Sequence, residues 1–375
     1  MDSPFIYNNF VTGPDFISRQ HELSMLTSMI KERRNILIYE PAKSGKQSIV
    51  QQSFQKLRQD AQKYKVCEIN LFNIRTEEAL FQKYFISLIN CFSYSAQEAG
   101  KLKEEFSLIS GEGLVLDENG RYTDNPEMRG HFAKELTAFG NKLAERNNIL
   151  LITYIEEFQE VLHFADPDDT LKLLEGLWGK ETMHNNTAFI ISGSFVNAMK
   201  EIFEEKRYFY RMADRIKLER IDERSFTEYI IRSFLKAGRV VSKELATHIY
   251  KLTDGHPWYT QQLADIAFGL TRGYLTEAII NQAFDLLIEL HSYRFRLITS
   301  RLSLFQLNLL KAILDNVEKL SSSEILSKYN LQSSANVNRL KDAVQKKEIV
   351  VFNKGKGEFL DPLFCTWMRE IYFTE

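Results

Sequence analysis

Residues 35–50 read N-I-L-I-Y-E-P-A-K-S-G-K-Q-S-I-V, an apolar run that passes through a proline and a glycine into a helix-compatible segment. A buried strand, a tight loop and a helix in immediate succession leave few folds open. The loop approaches the phosphate-binding pattern G-x-x-x-x-G-K-[ST]. That chemistry needs small residues so that backbone N–H groups can wrap the phosphates. It also needs a lysine for the outer oxygens and a hydroxyl for Mg²⁺. Gly45 and Lys46 stand in their places, but Glu40 occupies the first glycine position and Gln47 the hydroxyl position. The loop keeps its lysine anchor and lacks its metal ligand.

The candidate phosphate-site residues are therefore Glu40, Pro41, Ala42, Lys43, Ser44, Gly45, Lys46, Gln47 and Ser48. Lys46 has the reach to meet bound phosphate at the positive end of the helix it opens. Gln47 is a poor Mg²⁺ ligand, because that ion demands tight octahedral geometry and favours carboxylate, hydroxyl or water. Ser48 lies one position late, which turns its direction by roughly 100° around a helix. Glu40 brings negative charge towards an anion. Two like charges about 4 Å apart repel by about 4 kcal/mol at an intermediate dielectric, a penalty that applies if the carboxylate faces inward. The alternative is pairing with Lys43 or Lys46.

Short apolar runs alternate with longer helix-like segments through the first half of the chain, the rhythm of a parallel α/β sheet. Strands are expected at 36–39, 66–71, 149–154, 188–192 and 216–218, and helices at 18–32, 46–64, 76–92, 126–147 and 168–179. Runs apolar throughout suit strands covered on both faces. The polar, glycine-containing segment 106–125 reads as a loop or insertion. After Leu218 the strand signals stop. Helices at 225–236, 242–251, 258–272 and 276–293 suggest a helical lid. Three further helices at 304–315, 322–328 and 334–346, then a hairpin of 349–352 and 358–360, give the winged-helix order. The expected domains are 1–218, 219–293 and 294–375.

The 375 residues suit two or three domains rather than one core. A net charge of −2 argues against a dominant nucleic-acid-binding surface. Cys67, Cys91 and Cys365 are far apart without metal spacing, and read as buried free thiols in a reducing compartment. The histidines show no ligand spacing either, so no metal site is expected from protein ligands. Residues 1–10 have no basic region or apolar core, which does not fit a signal peptide. No apolar run approaches the roughly 18 residues of a membrane span. A cytoplasmic protein without membrane contact is the expectation.

Several separated pieces resemble one family. F-I-S-R-Q-H-E-L at 16–23 is similar to its opening motif, and the loop E-P-A-K-S-G-K-Q-S resembles its G-P-R-R-x-G-K-[ST]-S. I-L-L-I-T-Y-I-E-E-F-Q-E-V at 149–161 resembles a second nucleotide motif ending in D-E-F-Q-E. F-I-I-S-G-S at 189–194 looks like the sensor strand, and T-D-G-H-P-W-Y-T-Q-Q-L at 253–263 is similar to a lid motif G-x-P-x-Y. The tail D-P-L-F-C-T-W-M-R at 361–369 resembles the ending after the winged helix. In this order they resemble the archaeal-type ATPases among the signal-transduction ATPases with numerous domains, on the AAA+ side of the P-loop proteins.

The resemblance implies an α/β fold: a P-loop NTPase parallel-sheet core with a helical lid and a C-terminal winged helix. It implies a switch that holds ATP or ADP between core and lid. Glu156 would support the metal, although it replaces an aspartate, and Glu157 would be the general base acting on water. Ser194 would be the sensor residue. Arg211 or Arg215 would serve as arginine finger or γ-phosphate sensor, since guanidinium forks fit phosphate oxygens. Pro257, after His256, would contact nucleotide from the lid. Ion pairing, for example with Asp214, is the bland alternative for the arginines, and solvated strand-end acids for Glu156 and Glu157.

With the Gln47 and Glu40 departures, the expected function is ATP or ADP binding with weak or absent hydrolysis. The alternatives are an active Mg-dependent ATPase with an atypical metal site, or a winged-helix scaffold or DNA-binding regulator with a vestigial pocket. Whether the chain is an enzyme is thus left open. Nucleotide is the expected ligand, with an unidentified protein as a further partner. Arg339, Lys341, Lys346, Lys347, Lys354 and Lys356 could meet DNA phosphates. A solvated face is the commoner use of such a run, and in the resembled family the winged helix packs as part of the switch.

Overall fold

Five short strands hydrogen-bond in parallel in the computed structural model, which describes residues 3–110, 129–178 and 186–374. They are β1 (Asn35–Tyr39), β2 (Tyr64–Asn70), β3 (Leu150–Glu156), β4 (Thr187–Gly193) and β5 (Ala213–Arg215), in the order β2-β3-β4-β1-β5. β1 and β4 are buried along their whole length, and β3 all but its last residue. This is why their sequences are apolar without alternation. All strands run the same way, so Tyr39, Glu156 and Gly193 end at one edge of the sheet, where ligands of open parallel sheets bind. β4 lies between β1 and β3.

The chain forms two compact units. One comprises Gln20–Glu40 and Ile49–Leu218 and holds the sheet. Its helices are α1 (Gln20–Lys31), most of α2 (Lys46–Gln59), α3 (Glu77–Phe92), α4 (Ala96–Ser110), α5 (Arg129–Arg146), α6 (Pro167–Trp178) and α7 (Val196–Lys200). Thr76 starts α3 by accepting a hydrogen bond from the Ala79 N–H, with Glu77 and Glu78 complementing the helix dipole. Phe85, Phe106, Phe132 and Phe139 join α3, α4 and α5 in one aromatic cluster. A second cluster gathers Phe158, Trp178, Phe189 and Phe209.

The other unit comprises Met1–Arg19, Pro41–Ser48 and Glu219–Glu375. It contains α8 (Glu223–Lys236), α9 (Lys243–Leu252), α10 (Pro257–Leu270), α11 (Glu277–Thr299), α12 (Leu304–Leu314), α13 (Ser323–Lys328) and α14 (Ser334–Lys346). The hairpin β6 (Val350–Asn353) and β7 (Lys356–Phe359) and then α15 (Pro362–Trp367) complete a winged helix. Asp222, Ser242, Thr276, Ser303 and Ser333 each cap a helix through a side-chain oxygen, and Ser303 with Gln306 forms a full capping box. One continuous apolar core runs from Phe5 through Phe226, Tyr259 and Phe295 to Leu340 and Trp367. Lid helices and winged helix therefore share their packing.

Several expectations need correction. The last strand is Ala213–Arg215, not 216–218. Ile216 and Leu218 are apolar because they are buried, whereas the ladder to β1 is made by Ala213, Asp214 and Arg215, with Ile216 adding one bond to the Leu37 carbonyl. The helix expected over 46–64 ends at Gln59, where Ala61 turns left-handed and the Gln62 N–H closes on the Leu57 carbonyl. The helix expected from 18 begins at Gln20, because Ser18 and Arg19 have φ of +58° and +60°. Of the loop expected over 106–125, residues 106–110 are the end of α4, which the buried Leu102 and Phe106 hold to the core. Residues 111–125, and the start of the helix expected at 126, lie outside the described residues. The cysteines are free, but only Cys67 is buried. Among the described residues no helix is long and apolar enough to cross a membrane.

Candidate functional site

The loop that follows β1 is bent at Gly45, whose φ is +92°. A Cβ there would also come within 2.8 Å of Arg19 Nη1, so conformation and space both call for glycine. Lys46 opens α2, and its side-chain ammonium donates to the Pro41 carbonyl at 3.0 Å. The residue is only 8% exposed. Such a lysine is held inside the curl of its own loop, at the helix end where anions bind. Ser44 Oγ is buried without a hydrogen-bond partner. An unpaired buried hydroxyl costs about 1–3 kcal/mol, which an anion accepting from it would offset. Lys46, Ser44 and the helix N-terminus fit a phosphate group.

Arg19 braces this loop. Its Nη1 donates to the Ser44 carbonyl at 2.7 Å, and its Nε and Nη2 both donate to the Glu219 carbonyl, at 3.2 and 3.0 Å. The sequence carries Arg19 in the opening motif, but nothing in its spacing reveals this contact. Mg²⁺ is less well served. Gln47 is exposed at the hydroxyl position, and Ser48 Oγ accepts the Val11 N–H at 3.1 Å. The loop residues do not fit the ion.

The same unit places α10 beside the loop. Pro257 fixes the helix start at its first turn. Lys43, itself left-handed at φ +64°, holds its ammonium 5.6 Å from the centre of the Trp258 ring. His256 precedes Pro257, and its Nδ1 is buried without a hydrogen-bond partner. Burial pushes its pKa down to about 4, and the nearby cations Arg19 and Lys46 act the same way, while Asp361 and the Ala42 backbone oppose them. The imidazole is neutral at pH 7. A cavity of about 40 Å³ lies among Val11, Arg19, Gly45, Ser48, Pro257 and Gln261. It has room for water but not for a purine ring.

The acids belong to the sheet-bearing unit. Glu157 follows β3 with a left-handed φ of +55°. Its Oε1 accepts from Ser194 Oγ at 2.7 Å and its Oε2 from Gln159 Nε2 at 2.7 Å, while Gln159 Oε1 accepts the Ser194 N–H at 3.3 Å. The structure thus brings Glu157 and Ser194 together and adds Gln159, a residue the sequence reading missed. Gly193 makes room for it, since a Cβ would come within 2.7 Å of Gln159 Oε1. Glu156 is used differently. Its carboxylate accepts from Tyr154 OH at 2.8 Å and from Asn70 Nδ2 at 3.1 Å. The nearby Glu68 has its pKa raised by burial first and by the charge of Glu156 second.

Arg215 is engaged by its own neighbours. It donates to Glu204 at 2.9 Å, lies 3.8 Å from Glu40, and covers the Tyr39 ring at 3.8 Å. Tyr39 OH also donates to Glu204. Glu40 accepts the Leu218 N–H at 3.2 Å, so its negative charge is met by Arg215 and a backbone donor, partners the sequence did not suggest. Asp214 pairs with Arg34. Arg211 is exposed, its guanidinium 5.1 Å from the Tyr210 ring centre. The two arginines are therefore not equivalent in their surroundings.

A search of curated proteins finds no match to this chain. Among solved structures, the chain is similar to the Walker-type ATPase PABY2304 of Pyrococcus abyssi at TM-score 0.68 and 17% identity, over 98% of this chain and 99% of that one. It is also similar to the ORC2 protein of Aeropyrum pernix, solved as ADPNP–ADP complexes, at TM-score 0.59 and 14% identity, over 99% and 98% of the two chains. At such identities the likeness shows the fold: a P-loop NTPase-type α/β core with a C-terminal winged helix. A family model described as a probable winged helix domain matches residues 293–370. Another, described as an ATPase domain predominantly from Archaea, matches residues 16–263. The loop, the strand-end acids and the lid start all fall within that span, and the chain belongs to this family of nucleotide-binding, ATPase-type proteins.

Proposed function

We propose that this protein is a nucleotide-dependent switch of the signal-transduction ATPase type, which binds ATP or ADP at residues 40–48 and hydrolyses ATP slowly or not at all. The observation that carries the reading is the buried Lys46, its ammonium on the Pro41 carbonyl, in the same loop as the unpartnered Ser44 hydroxyl. On binding, Lys46 would exchange that carbonyl for a phosphate oxygen and Ser44 would gain an acceptor. Weak hydrolysis follows from two features. Gln47 and Ser48 give Mg²⁺ no free hydroxyl at the right place, and both oxygens of Glu157 are engaged by Ser194 and Gln159. Each oxygen keeps a further acceptor site, but a water has to align on a carboxylate whose orientation these two donors already fix.

In this reading the functional parts are 1–218, 219–293 and 294–375. Nucleotide identity shifts the balance between conformations that an unidentified protein partner senses. The setting is cytoplasmic. Arg215, Arg211 and Pro257 remain the residues proposed to sense the nucleotide, and Glu156 the acid proposed to support a metal where one binds. A second reading is DNA binding through the winged helix, favoured by the exposed Arg339 and Lys346 on α14 with Lys354 and Lys356 at the hairpin turn. Repair of the loop tests the first reading. Gln47→Thr with Glu40→Gly should confer Mg²⁺-dependent nucleotide binding that the natural sequence lacks. Equal Mg²⁺-dependent turnover in both proteins would overturn it.

A further inference from the structure

Helix α11 carries an apolar stripe on its outer face. Leu286, Leu290, Tyr293 and Leu297 are 41%, 64%, 75% and 41% exposed, whereas Leu287, Ile288 and Phe295 of the same helix are buried in the core. The exposed four are spaced by steps of four, three and four residues, the 3.5-residue period of a helix seam made for another helix. Scattered exposed leucines need no explanation, but four in register along one helix form a contiguous patch of the kind that marks an interaction surface.

The charges beside the stripe say what fits it. Asp285 and Glu289 lie towards its N-terminal end and Arg296 towards its C-terminal end, and all three are exposed. Such a face complements itself when turned end for end, which is the requirement of a two-fold interface. We infer that α11 pairs with α11 of a second copy of this chain, antiparallel about a dyad between His291 and Ser292. In that register Leu286 meets Leu297 of the second copy and Leu290 meets Tyr293. Glu289 and Arg296 occupy the same flank of the seam, one heptad apart, so each Glu289 faces the other copy's Arg296 and the ion pair forms twice. A parallel arrangement would instead bring Glu289 to Arg294. That arginine is already committed to Asp361 at 2.7 Å and to Tyr259 OH. The antiparallel pairing leaves this internal contact intact.

A seam of about three helical turns is at the small end of specific interfaces, so the dimer should be reversible, forming at about micromolar concentration. Sedimentation velocity of the full chain across that range tests it. The natural sequence should shift from monomer to dimer, and Leu290→Glu should remain monomeric with an unchanged melting temperature, because that side chain leaves no hole in the core. Glu289→Arg and Arg296→Glu should each weaken dimerisation by about tenfold or more. Together they should restore it to within a few-fold. A chain that stays monomeric throughout, a Leu290→Glu variant that still dimerises, or a double variant no better than the single ones would overturn the inference.

Discussion

His256 gives the folded protein a pH dependence whose size follows from its surroundings. The ring packs on Tyr259, with centroids 4.8 Å apart, and its Nδ1 has no partner. Its pKa is about 4 in the folded protein, against an ordinary histidine value of about 6.5 in the unfolded chain. The neutral form is thus the one the fold prefers. The unfolded chain takes up the proton first as pH falls, so stability is full above about pH 6.5 and is lost progressively towards pH 4. At pH 5 the unfolded histidine is almost wholly protonated and the folded one mostly neutral, a difference of about 2 kcal/mol. His291, also near 4 through burial first and Arg294 second, acts in the same direction, so the natural protein alone does not isolate the effect. The comparison is with His256→Gln, which has no proton to take up. Urea unfolding followed by tryptophan fluorescence at pH 8 and pH 5 should show the natural protein losing about 2 kcal/mol more than the variant. Equal losses would rule out this role for His256, as would an imidazole resonance for His256 that titrates near 6.5.

Two further substitutions test other links. Arg19→Met removes the donors to the Ser44 and Glu219 carbonyls, and should lower unfolding stability by about 2–4 kcal/mol in urea while weakening nucleotide binding through a loosened loop. Trp367→Ala removes a buried ring packed 5.6 Å from Phe295 and 6.1 Å from Phe364, and should cost about 3–5 kcal/mol. Because winged helix and lid share one core, hydrogen exchange should then rise in α11 as well as in α15.

Much of the fold was legible because it rests on local patterns. The doubly covered strands are apolar throughout, and side-chain caps at Ser242, Thr276, Ser303 and Ser333 mark helix starts that periodicity also finds. β5 was misplaced because an edge strand pairs through its backbone, and Ala213–Arg215 carries no apolar signature. α4 was missed where its sequence is polar, since only tertiary contact of Leu102 and Phe106 makes it one-sided. At the site, Gly45 and Lys46 could be read from spacing because the chemistry is contiguous in sequence. The brace from Arg19 spans 25 residues to Ser44, the Arg215–Glu40 contact joins distant segments, and the Ser194–Glu157 bond spans 37 residues. Spacing contains no record of such pairings. Gln159 was hidden for another reason: it reads as one more polar residue after the acids until Gly193 opens the space for it.

In the proposed switch Lys46 anchors a nucleotide phosphate without needing Mg²⁺, which calorimetry can measure. ADP is titrated into the full chain with and without Mg²⁺, and into Lys46→Ala under the same conditions. Loss of a charge-assisted phosphate contact is worth about 1.5–3 kcal/mol, so the variant should bind about tenfold to a hundredfold more weakly. Mg²⁺ should change the affinity of the natural protein by less than about threefold, since Gln47 puts no hydroxyl at the position that would hold it. Equal affinities for the natural protein and Lys46→Ala, or no binding by either, would rule out Lys46 as the phosphate anchor.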